Sequence, residues 1–341
     1  MTSFDKNINK IFFYWLLFTF SMVFLIVIVG GLTRLTGSGL SITEWELFVG
    51  VFPPFNLDTW NKYFLLYKQI PQYQLVNSEM SLEEFKVIYY WEYFHRMLGR
   101  LIGLFFLLPF IYFYLVKKIN KKYLINCCLI LFLIITQGIV GWYMVKSGLN
   151  TNVSVSHYRL SLHLSIAFII ISILFWTLIN LKNKTSKLFF TRKKYNYIFY
   201  LLILLIFLQI IIGAFVSGLD AGLIYQTWPL MNLNYFPNDT NITNFFNLFD
   251  FNNRGLIQFY HRNIAYLITL YILFMGYFIF KNKVKALIKP FSYVSFFLIL
   301  QIVLGVMTLI SGLNIYLAAV HQICSLLLTL SAINLYYSYI N

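Results

Sequence analysis

Hydrophobic residues in this chain come in long runs that charges border but do not enter. Residues 11–33, 123–145, 160–181 and 195–219 are charge-free, and each is long enough to cross the hydrocarbon core, which takes about 20 residues of helix. Residues 290–341 carry no charge and are interrupted by Ser311-Gly312-Leu313-Asn314, a pattern that predicts a helical hairpin. Two further windows, 101–116 and 263–280, are short by themselves. Their helices must begin earlier and take Glu92, His95, Arg96, Arg100, His261 and Arg262 into their outer turns. Eight spans are expected. The first follows Lys6 and Lys10 as a signal peptide would, but it is too long for such a segment and has no A-x-A cleavage site, so a retained helix is expected.

Composition agrees with this reading. Of the residues, 60% are hydrophobic, 20% aromatic and 11% charged, and the mean hydropathy is +0.73. Soluble domains carry about 25% charged residues, so a water-soluble fold is excluded. The net charge of +15 does not mark a nucleic-acid face, because the basic residues cluster between apolar runs. Lys117, Lys118, Lys121 and Lys122 follow the second span, residues 182–194 the fourth, and Lys281, Lys283, Lys285 and Lys289 the sixth. These loops are cytoplasmic by the positive-inside rule. All acids but Asp5 lie in the alternate segments. Both termini are therefore expected inside, with long outer loops near 35–87 and 220–256. Cys127, Cys128 and Cys324 show no redox, haem-attachment or zinc spacing and are assigned to packing.

The chain is duplicated. Gly30-Gly31-Leu32-Thr33 through Gly39-Leu40 to Trp45 matches Gly213 through Gly222-Leu223 to Trp228 at a constant offset of 183. Glu92-Tyr93-Phe94-His95-Arg96 matches Gln258-Phe259-Tyr260-His261-Arg262. Gln137, ten residues before Ser147-Gly148-Leu149-Asn150, matches Gln301, ten before Ser311-Gly312-Leu313-Asn314. Each half then has one helix with one histidine, His163 or His321. The expected fold is an all-α polytopic membrane protein, with eight transmembrane helices forming two pseudo-symmetric four-helix bundles, residues 1–185 and 186–341. An even number of crossings per repeat gives both copies the same orientation, related by an axis along the membrane normal.

His95, His163, His261 and His321 then lie in one layer near the outer edge of the bilayer, two per half. Intramembrane ionisable residues are costly and mark function by default. Imidazole pairs facing across a bundle suit bis-histidine haem, and no carboxylate or cysteine set suits zinc or a di-iron centre. Gly99 and Gly103 follow His95 at i+4 and i+8, and Ala265 and Thr269 follow His261. These small residues leave a slot for a porphyrin or bring helices close together. Arg96 and Arg262 are placed to pair with haem propionates, or else snorkel to the interface. His157 has no repeat partner and reads as a solvated loop residue.

Glu92 breaks the symmetry, since Gln258 stands opposite it. At i, i+3 from His95 it shares the histidine's helix face, where a carboxylate can act as a base or stabilise developing cationic charge, as an amide cannot. It can alternatively pair with Arg96 or accept from a backbone group. On the first reading the His95/His163 half is reactive and the His261/His321 half holds a cofactor.

Gly31-Leu32-Thr33-Arg34-Leu35-Thr36 with Ser38-Gly39-Leu40-Ser41 and Glu44-Trp45, Glu84-Phe85-Lys86 with Tyr90-Trp91-Glu92, and His95-Arg96-Met97-Leu98-Gly99-Arg100 resemble the haem A synthase family in its alphaproteobacterial and mitochondrial form. The resemblance covers nearly the whole chain. It implies oxidation of the C8 methyl of haem O to a formyl by successive hydroxylations, giving haem A for cytochrome c oxidase. It further implies that His95 and His163 ligate the substrate haem iron, that His261 and His321 ligate a haem b cofactor, and that Glu92 is catalytic. Haem O synthase, oxidase assembly factors and an unidentified electron acceptor become expected partners, in a cell inner membrane and without nucleic acid. The outer-loop cysteine pair of some bacterial members is absent here, so no redox role of that pair operates. A quinol-linked di-haem b electron-transfer cytochrome would use the same histidines but leave Glu92 without a task. A parallel-repeat transporter would call for helices broken at mid-membrane, whereas the glycine breaks fall at span ends.

Overall fold

The computed structural model describes residues 3–44, 49–117, 119–149, 153–240 and 244–340, with residues 3–9 as backbone only. Trp45, Lys118 and Asn150 of the sequence reading lie outside them. Among the described residues the fold is ten α-helices and three short 3-10 turns, without strands. Eight helices are long and apolar enough to span a bilayer: α1 (Ser3–Leu35), α4 (Leu82–Leu115), α5 (Lys121–Gly148), α6 (His157–Lys182), α7 (Asn196–Gly218), α8 (Arg254–Lys281), α9 (Lys285–Ile310) and α10 (Ile315–Tyr339). Two shorter ones, α2 (Leu57–Lys68) and α3 (Pro71–Leu75), lie between α1 and α4. Leu108, Phe132, Leu204 and Leu273 stand exposed on the spans, as apolar side chains do when the surrounding solvent is lipid. The chain is a multi-pass membrane protein.

Close contacts divide it into two compact units, Met1–Arg159 with Ile166–Lys187 and Leu160–Ser165 with Leu188–Asn341. In the second, α7 packs on α8, α8 on α9, α9 on α10 and α10 on α7, so four helices close a ring. In the first, α4 packs along α1 and against α5, and α6 meets its neighbours through Asn126 Nδ2 to Thr177 Oγ1 at 3.0 Å and the Phe20–Phe175 ring pair.

Helix α4 starts well before its apolar window. Ser81 and Glu84 form a reciprocal capping box, which satisfies the otherwise unpaired amides of the first turn. The added turns bury Phe85, Ile88 and Tyr89 under α2, with Phe64 stacked on Phe85 at 5.1 Å and Trp60 edge-on to Tyr89 at 5.0 Å. Glu92 and His95 therefore sit about three turns into α4, not in its outermost turn, and the segment read as outer loop 35–87 contains α2, α3 and the start of α4.

Pro109 lies inside α4. Proline has no N–H, so the carbonyl four residues before it loses its helical donor. That carbonyl belongs to Phe105, and Trp15 of α1 supplies the missing hydrogen bond from Nε1 at 2.9 Å. The break in one helix is thus closed by the next, as lipid surroundings demand. Replacing Trp15 with Phe should cost roughly 1–3 kcal/mol by leaving that acceptor unsatisfied. In a Pro109→Ala background, where the residue 109 amide supplies the bond, the hydrogen-bond part of that cost should vanish. A double-mutant cycle of unfolding in detergent measures the difference.

Candidate functional site

Helices α8 and α10 place His261 and His321 in the same compact unit. Each ring lies against a glycine of the preceding helix. A Cβ at Gly213 would stand 3.0 Å from His261 Cε1, and one at Gly305 2.9 Å from His321 Cε1. Each ring also meets a glutamine. Gln209 Nε2 donates to the His261 carbonyl at 2.9 Å and lies 3.4 Å from His261 Nε2, while Gln301 Nε2 lies 3.2 Å from His321 Nε2. The Nδ1 atoms of His261 and His321 are buried and have no hydrogen-bond partner among the described residues. Buried polar atoms are nearly always paired, and exceptions call for an explanation.

In the first unit His95 is backed by Gly30, where a Cβ would come within 3.0 Å of Nε2. This is the repeat counterpart of Gly213 behind His261. One turn away on α4, Glu92 is 2% exposed and held from several sides. Its Oε2 accepts from Ser41 Oγ at 2.8 Å and from the Ile42 amide at 2.8 Å, and its Oε1 faces Arg96 Nη1 at 3.4 Å. The pairing with Arg96 and with a backbone amide is thus present, and it pins the segment after α1 to α4. Arg96 also reaches the Ile42 carbonyl at 3.4 Å. Ile42, Glu44, Gly50, Tyr63, Tyr89, Tyr93, Arg96 and Arg100 line a small cleft there.

The second half repeats this hook with the polarity reversed. Gln258 Nε2 donates to the Tyr225 carbonyl at 2.8 Å, and Tyr225 is the repeat counterpart of Ile42. Arg262 Nη2 donates to the same carbonyl at 3.1 Å and Nη1 to the Leu230 carbonyl at 3.2 Å. The Tyr225 hydroxyl donates to Asp239 at 2.7 Å. Burial raises its pKa, and the bond to Asp239 acts in the same direction.

His163 lies six residues into α6, within the stretch Leu160–Ser165 that clusters with the second unit; Ser161 in that stretch donates to the Ile211 carbonyl at 3.2 Å. His157 corrects the sequence reading. It is the first residue of α6 and is buried, its ring against Tyr158, because the helix begins before its apolar window does. The small residues separate by position: a Cβ at Gly99 would meet Ile26 Cδ1 at 3.6 Å, which is helix packing, whereas one at Gly103 would meet nothing within 4 Å. Cys127 and Cys324 are buried and Cys128 exposed, all as free thiols. Sequence reasoning gave Gln209, Gln301, Ser41 and the glycines behind the rings no role. A lone amide inside a charge-free span was the available signal for Gln209, because burying one costs free energy unless it is bonded.

The family of cytochrome oxidase assembly proteins, COX15-CtaA, matches residues 13–333. The chain belongs to this family. It is 48% identical over 326 residues to the "Heme A synthase" of Pelagibacter ubique, covering 95% of each chain. Identity to the proteins of that name in Rickettsia felis and Flavobacterium psychrophilum is 41% and 40%, over 92% and 95% of this chain and 94% and 96% of theirs.

A haem fits the residues of this COX15-CtaA chain. Among the described residues no three His, Cys, Asp or Glu side chains gather to hold a bare ion. The unpartnered buried Nδ1 atoms of His261 and His321, and the glycines that let neighbouring helices approach both rings, are what a bis-histidine haem would use. Gly305→Val or Gly213→Val should push the His321 or His261 ring aside and lower the haem that copurifies. Gly138→Ala, with nothing within 4 Å of the added carbon, should leave it unchanged. Absorbance of bound haem per protein reads the outcome.

Proposed function

We propose that this chain acts as the relatives named above do, as a haem A synthase that oxidises the C8 methyl of haem O to the formyl of haem A in cytochrome oxidase assembly. The observation that carries the reading is near end-to-end similarity to proteins named for that product, in a chain with four repeat-related histidines on four spanning helices. The chain is thus an oxidoreductase of the membrane, and an electron-transfer cytochrome has no support in these matches.

Within that activity His261 and His321 hold a resident haem b, and His95 and His163 ligate the substrate haem. Support for the first pair is their place in one compact unit and their unpartnered Nδ1 atoms; for the second it is repeat equivalence. A bound haem supplies the one-electron redox chemistry. Glu92 takes a proton released as the methyl is oxidised. It does so at Oε1, since Oε2 is already bonded to Ser41 and Ile42. Ser41, the Ile42 amide and Arg96 fix the carboxylate one turn from His95, which restricts where that proton is taken. Gln258 has no such capacity, so the second half retains and does not react. Arg262 keeps a buried Nε with no hydrogen-bond partner, available to a propionate, and Arg96 takes the matching role. The lysine-rich loops after the second, fourth and sixth spans place both termini in the cytoplasm and the histidine layer toward the outer side of the inner membrane. Haem O synthase, as supplier of the substrate, and the oxidase assembly machinery, as consumer of the product, are the partners this chemistry requires, together with an electron acceptor.

Coexpression with an enzyme that makes haem O, followed by chromatography of extracted haems, tests the activity. Haem A beside haem B is expected; haem B alone, with haem O untouched, would overturn it. His261→Ala and His321→Ala should each lose the retained haem. Glu92→Gln should keep haem b and yield no haem A, and product at the wild-type level would remove Glu92 from the chemistry.

A further inference from the structure

Gln209 stands alone as an amide in the apolar middle of α7. An unpaired amide buried there costs free energy, and this one is only half used. Its Nε2 donates to the His261 carbonyl and approaches the ring at Nε2, while its Oε1 is buried without a hydrogen-bond partner among the described residues. One side chain thus grips both the backbone and the ring of a single histidine, with an acceptor left over beside it. Four residues further along α7 comes Gly213, against Cε1 and Nδ1 of the same ring. The repeat offset of 183 places Ile26 of α1 where Gln209 stands in α7. Ile26 has no group that can hydrogen-bond an imidazole, and its Cδ1 lies at Gly99, one turn beyond His95. Gln301 does not share this asymmetry, because its counterpart in the first half is also a glutamine, Gln137.

We propose that Gln209 is a positioning residue for His261, clamping the ring so that the second-half site retains its haem, and that Ile26 at the equivalent place leaves the first-half site able to exchange one. The inference rests on the reading of His261 as a ligand of the resident haem. Groups that hydrogen-bond a metal-ligating histidine fix its tautomer and orientation and tune the metal. A site that must keep its haem benefits from such a hold, and a site that must take in substrate and release product does not.

The experiment uses the full-length protein, purified in detergent with its haem, and three readouts: the rate of haem transfer to apomyoglobin, the midpoint potential of the bound haem, and its low-spin electron paramagnetic resonance. Gln209→Ile copies the first half, and Gln209→Met keeps the side-chain volume without the amide. Both should release haem roughly 10- to 100-fold faster, the usual effect of losing such a partner, with shifted resonance and potential and unchanged thermal unfolding of the apoprotein. Ile26→Gln should slow the transfer of haem O from the first-half site. If Gln209→Met behaves as wild type in rate, potential and resonance, the clamp is overturned, and any effect of Gln209→Ile alone is packing. His261→Ala separates the two levels. If it retains haem as wild type does, the ligand assignment itself falls; if it loses haem while both Gln209 variants match wild type, only the clamp falls.

Discussion

Inside hydrocarbon a polar group has no water as an alternative partner, so every donor and acceptor must be answered from within the protein. Much of the architecture follows from that. The carbonyl freed by Pro109 is met by the indole of Trp15 from another helix, so an acceptor that would be bare in lipid becomes a joint between α1 and α4. Thr19, Thr177 and Thr308 return their hydroxyls to carbonyls one turn back in their own helices. Against this background of satisfied groups, the buried nitrogens of His261 and His321 and the amide oxygens of Gln209, Gln258 and Gln301 stand out. Gln209 and Gln301 lie against those two rings.

The duplication sets two similar halves side by side in the sequence, with different polar residues at matching places. Both halves use the same frame, in which an arginine next to the histidine reaches back to the segment after the first helix, through Arg96 to Ile42 and Arg262 to Tyr225. Within it, small chemical changes separate the halves. A carboxylate can only accept, so Glu92 takes the Ile42 N–H; the Gln258 amide donates, so it takes the Tyr225 C=O. The first arrangement sets a carboxylate one turn before His95, and the second an amide one turn before His261. Helix packing differs as well: α7 to α10 close a ring of contacts, while six residues of α6, His163 among them, cluster apart from the rest of that helix.

Much of this was legible in the sequence. The eight spans were readable because charge is excluded from lipid-facing runs, and the predicted helices all form. Their outer ends were misjudged where short-range chemistry overrides hydropathy. The Ser81–Glu84 capping box and the aromatic contacts with α2 carry α4 several turns beyond its apolar window, and α6 begins early enough to bury His157. The histidine set and the Glu92–Gln258 difference came directly from the repeat. Gln301 did too, as the match of Gln137, but Gln209 did not, because a lone amide in an apolar run carries no periodic signal and its purpose depends on what the facing helix presents.

The sequence by itself determined the solvent, the number of crossings, the duplication and the four repeat-related histidines, since each depends on composition or spacing along one chain. Tertiary structure alone decided that Glu92 is fixed by Ser41 and Ile42, that glycines on neighbouring helices admit the His95, His261 and His321 rings, and that Gln209 reaches His261. Those facts depend on distances of a few ångströms between segments 50 or more residues apart. Hydrophobic patterning sets which face of a helix is buried, but the side chains that meet across it are chosen by packing.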